Sequence, residues 1–144
     1  LRGVVGTETF WQGIRAYYKK YKDRNATTAN FQREMEIASG IDLSTFFRQW
    51  LYQPGTLKYK GSWRFHAKKK EVTIFLDQVQ NDGSFYKMLL EIGVYGKKEE
   101  QQMTKTIQVD EQSNTITFIV DFIPERLVLD PNFKVLMDAQ FKKE

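Results

Sequence analysis

Residues 40–55 read GIDLSTFFRQWLYQPG, and this stretch decides the fold. Leu43, Phe46, Phe47, Trp50 and Leu51 fall at offsets 0, 3, 4, 7 and 8, the spacing of one face of an amphipathic helix. Asp42, just ahead of them, is the expected N-cap. Gln53-Pro54-Gly55 then ends the pattern, because proline lacks the N–H that would continue the ladder and its ring clashes with the preceding turn. Beyond this point the apolar period changes from 3.6 to 2. The chain is therefore expected to divide into a helical part, residues 1–55, and a β part, residues 56–144.

Upstream, two more helices are predicted. Phe10, Ile14, Tyr17, Tyr18 and Tyr21 lie at offsets 0, 4, 7, 8 and 11, one helical face, with Thr7 as the expected N-cap. KDRNATT breaks that pattern. Thr27 or Thr28 then caps a helix carrying Phe31, Met35 and Ala38, closed by Gly40 in the left-handed conformation. Three strongly apolar helices in so short a segment predict a docking element for a larger helical body.

Downstream, short alternating runs follow one another. Val72, Ile74 and Leu76 share a face; so do Met88, Leu90, Ile92 and Val94, and so do Ile116, Phe118, Val120 and Phe122. SWRFHA, MTKTIQV and RLVLD add further runs, and NDGS, GKKEE and DEQSN mark turns at roughly ten-residue spacing. The fold class predicted is α+β: a short N-terminal three-helix segment followed by an antiparallel immunoglobulin-like β-sandwich.

Composition narrows the chemistry. Apolar residues make up 41% of the 144, enough for a core, and no apolar run is long enough to span a membrane. LRGVVGTETF has no charged region leading into a long apolar stretch, and the chain opens on Leu1 rather than Met, so a piece of a longer protein is expected. The absence of cysteine removes thiol catalysis and cysteine-based zinc sites. The net charge of +4 is spread over Lys19-Lys20-Lys22, Lys68-Lys69-Lys70 and Lys97-Lys98, the last followed at once by Glu99-Glu100. These read as solvated turns, with neither nucleic acid nor a membrane expected as partner.

His66 is the one histidine, whereas H-E-x-x-H needs two and a catalytic zinc three protein ligands. On a strand through WRFHA, Trp63 and Phe65 share one face and Arg64 and His66 the solvent face. Asp42, Asp77, Asp110 and Asp130 are separated by whole elements, and Glu34 and Glu36 do not face each other on a helix. Tyr17, Tyr18, Phe46, Phe47 and Trp50 sit at core spacing rather than as a cofactor box. Asn25-Ala26-Thr27 is a glycosylation sequon of a kind that arises often by chance. No catalytic, cofactor-binding or metal residue is assigned, and no cofactor is expected in this chain.

One resemblance spans most of the sequence. TETFWQGIRAYYKKY, NATTANF, SGIDLSTFFRQWLYQPG and DPNFKVLMD resemble the region downstream of the active site in the aminopeptidase N family of zinc metallopeptidases. The resemblance implies the last helices of a catalytic domain followed by a β-sandwich domain. It also implies a parent that removes N-terminal residues from peptides using zinc and a glutamate base. The family's zinc helix, glutamate ligand, G-x-M-E-N loop and catalytic tyrosine have no matching positions here, so none of its site residues carries over. The expected role is a non-catalytic C-terminal fragment supporting the parent's catalytic domain, its missing partner. Peptide substrates concern the parent alone, and the isolated fragment is expected to self-associate. The competing reading is a stand-alone β-sandwich module that binds protein or carbohydrate.

Overall fold

The computed structural model describes residues 1–144. The chain forms two compact units, Leu1–Gln53 and Pro54–Glu144. The first contains α1 (Arg2–Val5), α2 (Thr7–Tyr21), α3 (Thr28–Ser39), α4 (Ser44–Phe47) and a π-helical turn, Arg48–Tyr52. The second contains β1 (Leu57–His66), β2 (Glu71–Gln78), β3 (Met88–Tyr95), β4 (Gln102–Val109), β5 (Ser113–Ile119), β6 (Arg126–Leu129) and β7 (Met137–Lys143). The protein is thus α+β, with two sheets.

In the helical unit, α3 is the best-defined element. The Thr27 side chain accepts from the Asn30 N–H at 3.3 Å, and the Asn30 side chain accepts from the Thr27 N–H at 2.9 Å. This reciprocal box satisfies donors that a helix start leaves open. Gly40 ends the helix at φ 67, where a Cβ would be strained. The start of α2 differs from expectation. Gly6 occupies the N-cap position and Thr7 is the first helical residue, with no side-chain cap. The preceding α1 runs up to Gly6, so Thr7 opens the helix without capping it.

The third helix is also corrected. It begins as α4 with Leu43 rather than Asp42 at the N-cap position; Asp42 lies one residue ahead, its carboxylate accepting from the Ser44 N–H at 2.8 Å. It then widens into a π turn, in which the Gln53 N–H donates to the Arg48 carbonyl five residues back. A π turn rotates each residue by less than the 100° of an α-helix. Leu43 and Phe47 are buried as predicted, but Gln49 turns inward at 5% exposure and Leu51 outward at 58%. Leu51 therefore does not belong to the buried face.

The core of this unit is small. Val5, Met35, Leu43 and Phe47 are its buried apolar side chains, and Leu1, Phe10, Phe31 and Phe46 pack partly against them. Rings run from Tyr17 to Phe31 to Phe47 at centroid separations of 5.2 and 6.0 Å. Along all of α2 only Gly13 is buried. Its missing side chain is what lets α3 approach: a Cβ there would lie 2.4 Å from Met35 Sδ.

The β unit is more deeply cored, holding sixteen of the twenty buried apolar side chains. One sheet has the order β5-β2-β1-β7, the other β4-β3-β6. The predicted alternation in β2 and β3 is realised: Val72, Ile74, Leu76, Leu90, Ile92 and Val94 are all fully buried. One pairing overturns the all-antiparallel expectation. β7 lies parallel to β1, from Leu57 opposite Met137 to Trp63 opposite Lys143. Residues 137–143 were not foreseen as a strand, because an exposed edge with little apolar alternation has no period-2 signal.

Gly13→Val is expected to destabilise the helical unit by about 1–3 kcal/mol, the cost of overpacking a filled contact. Gly13→Ala should cost less, since alanine recovers up to about 1 kcal/mol of helix propensity. Urea titrations followed by far-ultraviolet circular dichroism would measure both.

Candidate functional site

The strand registers gather three connections at one end of the β unit. Gln78, the last residue of β2, donates its N–H to Gln112 in the β4–β5 turn. Met88, which opens β3, lies opposite Val109, which closes β4. The β6–β7 loop starts beside β3, where the Asp130 N–H donates to the Glu91 carbonyl at 2.7 Å. A cavity of about 380 Å³ opens here between Gln80, Ser84, Phe85, Asp110, Glu111 and Gln112.

Gln78 organises the floor of this cavity. Its amide oxygen accepts from the Tyr86 N–H and from Gln80 Nε2, and its Nε2 donates to the Tyr86 carbonyl at 2.7 Å. The β2–β3 connection is thereby tied to the end of β2. At the rim, the Asp82 carboxylate accepts from Ser84, which holds its pKa below the usual carboxylate range. Amides, carboxylates and one phenyl ring give a lining rich in acceptors.

The β6–β7 loop has a second, apolar character. Asp130 and Phe133 both take left-handed backbone conformations, at φ 48 and 52, sparsely populated for side-chain-bearing residues. Asp130 holds the loop by accepting from the Val135 N–H at 2.7 Å. Glu91 on β3 accepts from Lys134 Nζ and from Asn132 Nδ2. These two hydrogen bonds, that from Lys134 first, draw the Glu91 pKa below its ordinary value. Phe133 stands at the tip, 94% exposed.

The residues weighed for catalysis lie apart from this end. His66 closes β1, exposed, and its Nδ1 accepts from the Lys69 N–H at 3.3 Å in the turn to β2. Glu34 is buried and paired with Lys20, whose ammonium is raised above its ordinary pKa by that hydrogen bond. Asp42 serves the start of α4. Tyr59 is buried and its phenol pKa is pushed up by desolvation. No three His, Cys, Asp or Glu side chains gather into a metal-holding group, so the residues present do not fit a zinc centre. The sequence carries no direct signal for the cavity or the Phe133 tip; only NDGS and DEQSN, as turn signals, mark their neighbourhood.

No family model matches the chain. Individual relatives do. Aminopeptidase N of Escherichia coli is 40% identical over 75 residues, covering 52% of this chain and 8% of that protein. Probable aminopeptidase 1 of Sulfurisphaera tokodaii is 28% identical over 123 residues, covering 82% of this chain and 14% of that protein. The chain is similar to these aminopeptidases over part of their length. Its fold is shared with the crystal structure of Legionella pneumophila aminopeptidase A in complex with aspartic acid, at a TM-score of 0.78 and 17% identity, over 96% of this chain and 16% of that one. Transcription initiation factor TFIID subunit 2 of Danio rerio also matches, at 25% identity over 87 residues, 60% of this chain and 7% of that protein. The chain spans a small fraction of each of these relatives.

Glu91→Gln is expected to lower stability at neutral pH by removing the carboxylate that holds Lys134 and Asn132. A carboxyl whose folded pKa is depressed stabilises the fold above its unfolded pKa, near 4.5, and loses that contribution as pH falls through the folded value. The gap between wild type and Glu91→Gln should therefore narrow below about pH 4. Denaturant midpoints measured from pH 7 to 3 would check it.

Proposed function

We propose that this chain is a non-catalytic, structural portion of a zinc-dependent aminopeptidase. In this reading residues 1–55 are the last helices of the catalytic domain, and residues 56–144 form an immunoglobulin-like β-sandwich that follows it. The observation that carries the reading is the Sulfurisphaera match. It extends over 82% of the chain, more than either unit alone supplies, yet over 14% of the relative. Seven strands in sheets of four and three, with β2 pairing to β5, support the sandwich designation. His66 is engaged in its hairpin turn, which supports a structural histidine.

The helical unit would support the catalytic part of the parent through residues it leaves exposed. Ile37, Leu51 and Tyr52 are of that kind. Peptide substrates would be bound by the parent alone, with no nucleic acid or membrane as partner. The cavity at the end of the β unit favours a second reading, a protein- or carbohydrate-binding module. The match to a protein named as a transcription factor subunit supports it, since this kind of segment is then not tied to peptidase activity.

The chain, dialysed against zinc, is expected to keep no stoichiometric metal and to hydrolyse no aminoacyl amide. His66→Ala should leave stability within about 0.5 kcal/mol of wild type, as for other surface positions. Bound zinc with turnover that disappears in His66→Ala would overturn the non-catalytic assignment. The coding sequence ahead of Leu1 tests the parent: an H-E-x-x-H motif is expected there, and a reading frame that opens at Leu1 would favour the stand-alone module.

A further inference from the structure

α2 carries a second apolar stripe that its own unit covers only in part. Trp11, Ile14, Tyr18 and Tyr21 are spaced three, four and three residues apart, the a and d positions of a heptad. Trp11 is 47% and Tyr18 66% exposed, while Ile14 and Tyr21 are half-buried. One flank of the stripe, Phe10 and Tyr17, is turned toward the unit's own core and the Phe31 ring. The other flank is open. It holds Glu8, Arg15 and Lys22, all exposed and seven residues apart.

We propose that this stripe is an interface with a second copy of the chain, in which two α2 helices pack antiparallel about a two-fold axis between Ile14 and Arg15. Antiparallel packing sets each open flank against its counterpart, so Glu8 of one copy meets Lys22 of the other at both ends. It also places Trp11 against the partner's Tyr18 twice, a geometry aromatic pairs favour. Arg15 falls near the axis, where its like-charge partner is the one unfavourable contact. Parallel packing would instead set Glu8, Arg15 and Lys22 against the flank already occupied by Phe10 and Tyr17. Lys22 has only an exposed contact with Asp23 at 3.9 Å to exchange for the new pairing.

The stripe is small. Aromatic side chains bury about 150–250 Å² each, so the contact falls short of the ~800 Å² per partner of a standard stable interface. The dimer is accordingly weak, with a dissociation constant on the order of 10–100 µM or higher.

Sedimentation equilibrium on the whole chain, from about 5 to about 500 µM, should show a monomer–dimer equilibrium. Trp11→Ser with Tyr18→Ser, both at exposed positions and checked for helix content, should leave a monomer. Glu8→Lys alone should weaken association about three- to tenfold, through the loss of two exposed ion pairs and their replacement by repulsion. Adding Lys22→Glu to it should restore the wild-type constant. A monomer at every concentration would overturn the proposal and leave the stripe to another occupant, such as the body of a parent protein. A dimer that survives loss of both aromatics would move the interface elsewhere, and a charge swap that restores nothing would exclude the antiparallel arrangement. The measurements use the chain alone, so their failure leaves the aminopeptidase reading standing.

Discussion

The helical unit depends on one close approach, α2 onto α3 at Gly13 and Met35. No other residue of α2 is buried, and Met35 is wholly so. The contact draws the Tyr17 ring onto Phe31, and Phe31 in turn reaches Phe47 on α4. The Lys20–Glu34 pair fixes the same two helices from the polar side. Because the contact is narrow, most of the circumference of α2 stays open. Trp11 and Tyr18 are among the side chains it leaves exposed.

The β unit has a different economy. β1 is paired on both sides over residues 59–63, antiparallel to β2 and parallel to β7, so its backbone ladder is complete through its middle. The apolar alternation of β2 and β3 supplies the centre of the interior, and side chains of the other strands, Leu57, Tyr59, Trp63, Val109 and Phe118 among them, complete it. Variation is left to the connections, and the registers bring the β2–β3, β4–β5 and β6–β7 connections to one end. Two unlike surfaces result: an acceptor-rich cavity braced by Gln78, and an apolar tip held out by Asp130 and Glu91.

Likeness to aminopeptidases and the chemistry of the chain point to different levels of function. The likeness runs through both units, while the one histidine caps a turn and the buried carboxylate Glu34 is spent on an ion pair. The chain itself presents a partly covered helical layer and a β unit with a differentiated end.

The sequence by itself determined the change of architecture at Pro54. Period 3.6 gives way to period 2 there, and both periods follow from local backbone geometry. It narrowed the start of α3 to Thr27 or Thr28 and set its end at Gly40, because capping chemistry acts over three or four residues. It also located the solvent-facing His66, since strand alternation fixes its side. The tertiary structure decided the rest. The π turn at Arg48–Tyr52 changes the angle per residue, so a pattern read at 100° put Leu51 on the wrong face. β7 exists because β1 offers it a free backbone edge, and hydrogen bonds between peptide groups write no pattern into side chains. The cavity and the Phe133 tip arise where segments distant in sequence are brought together by register. No window of a single sequence contains that information.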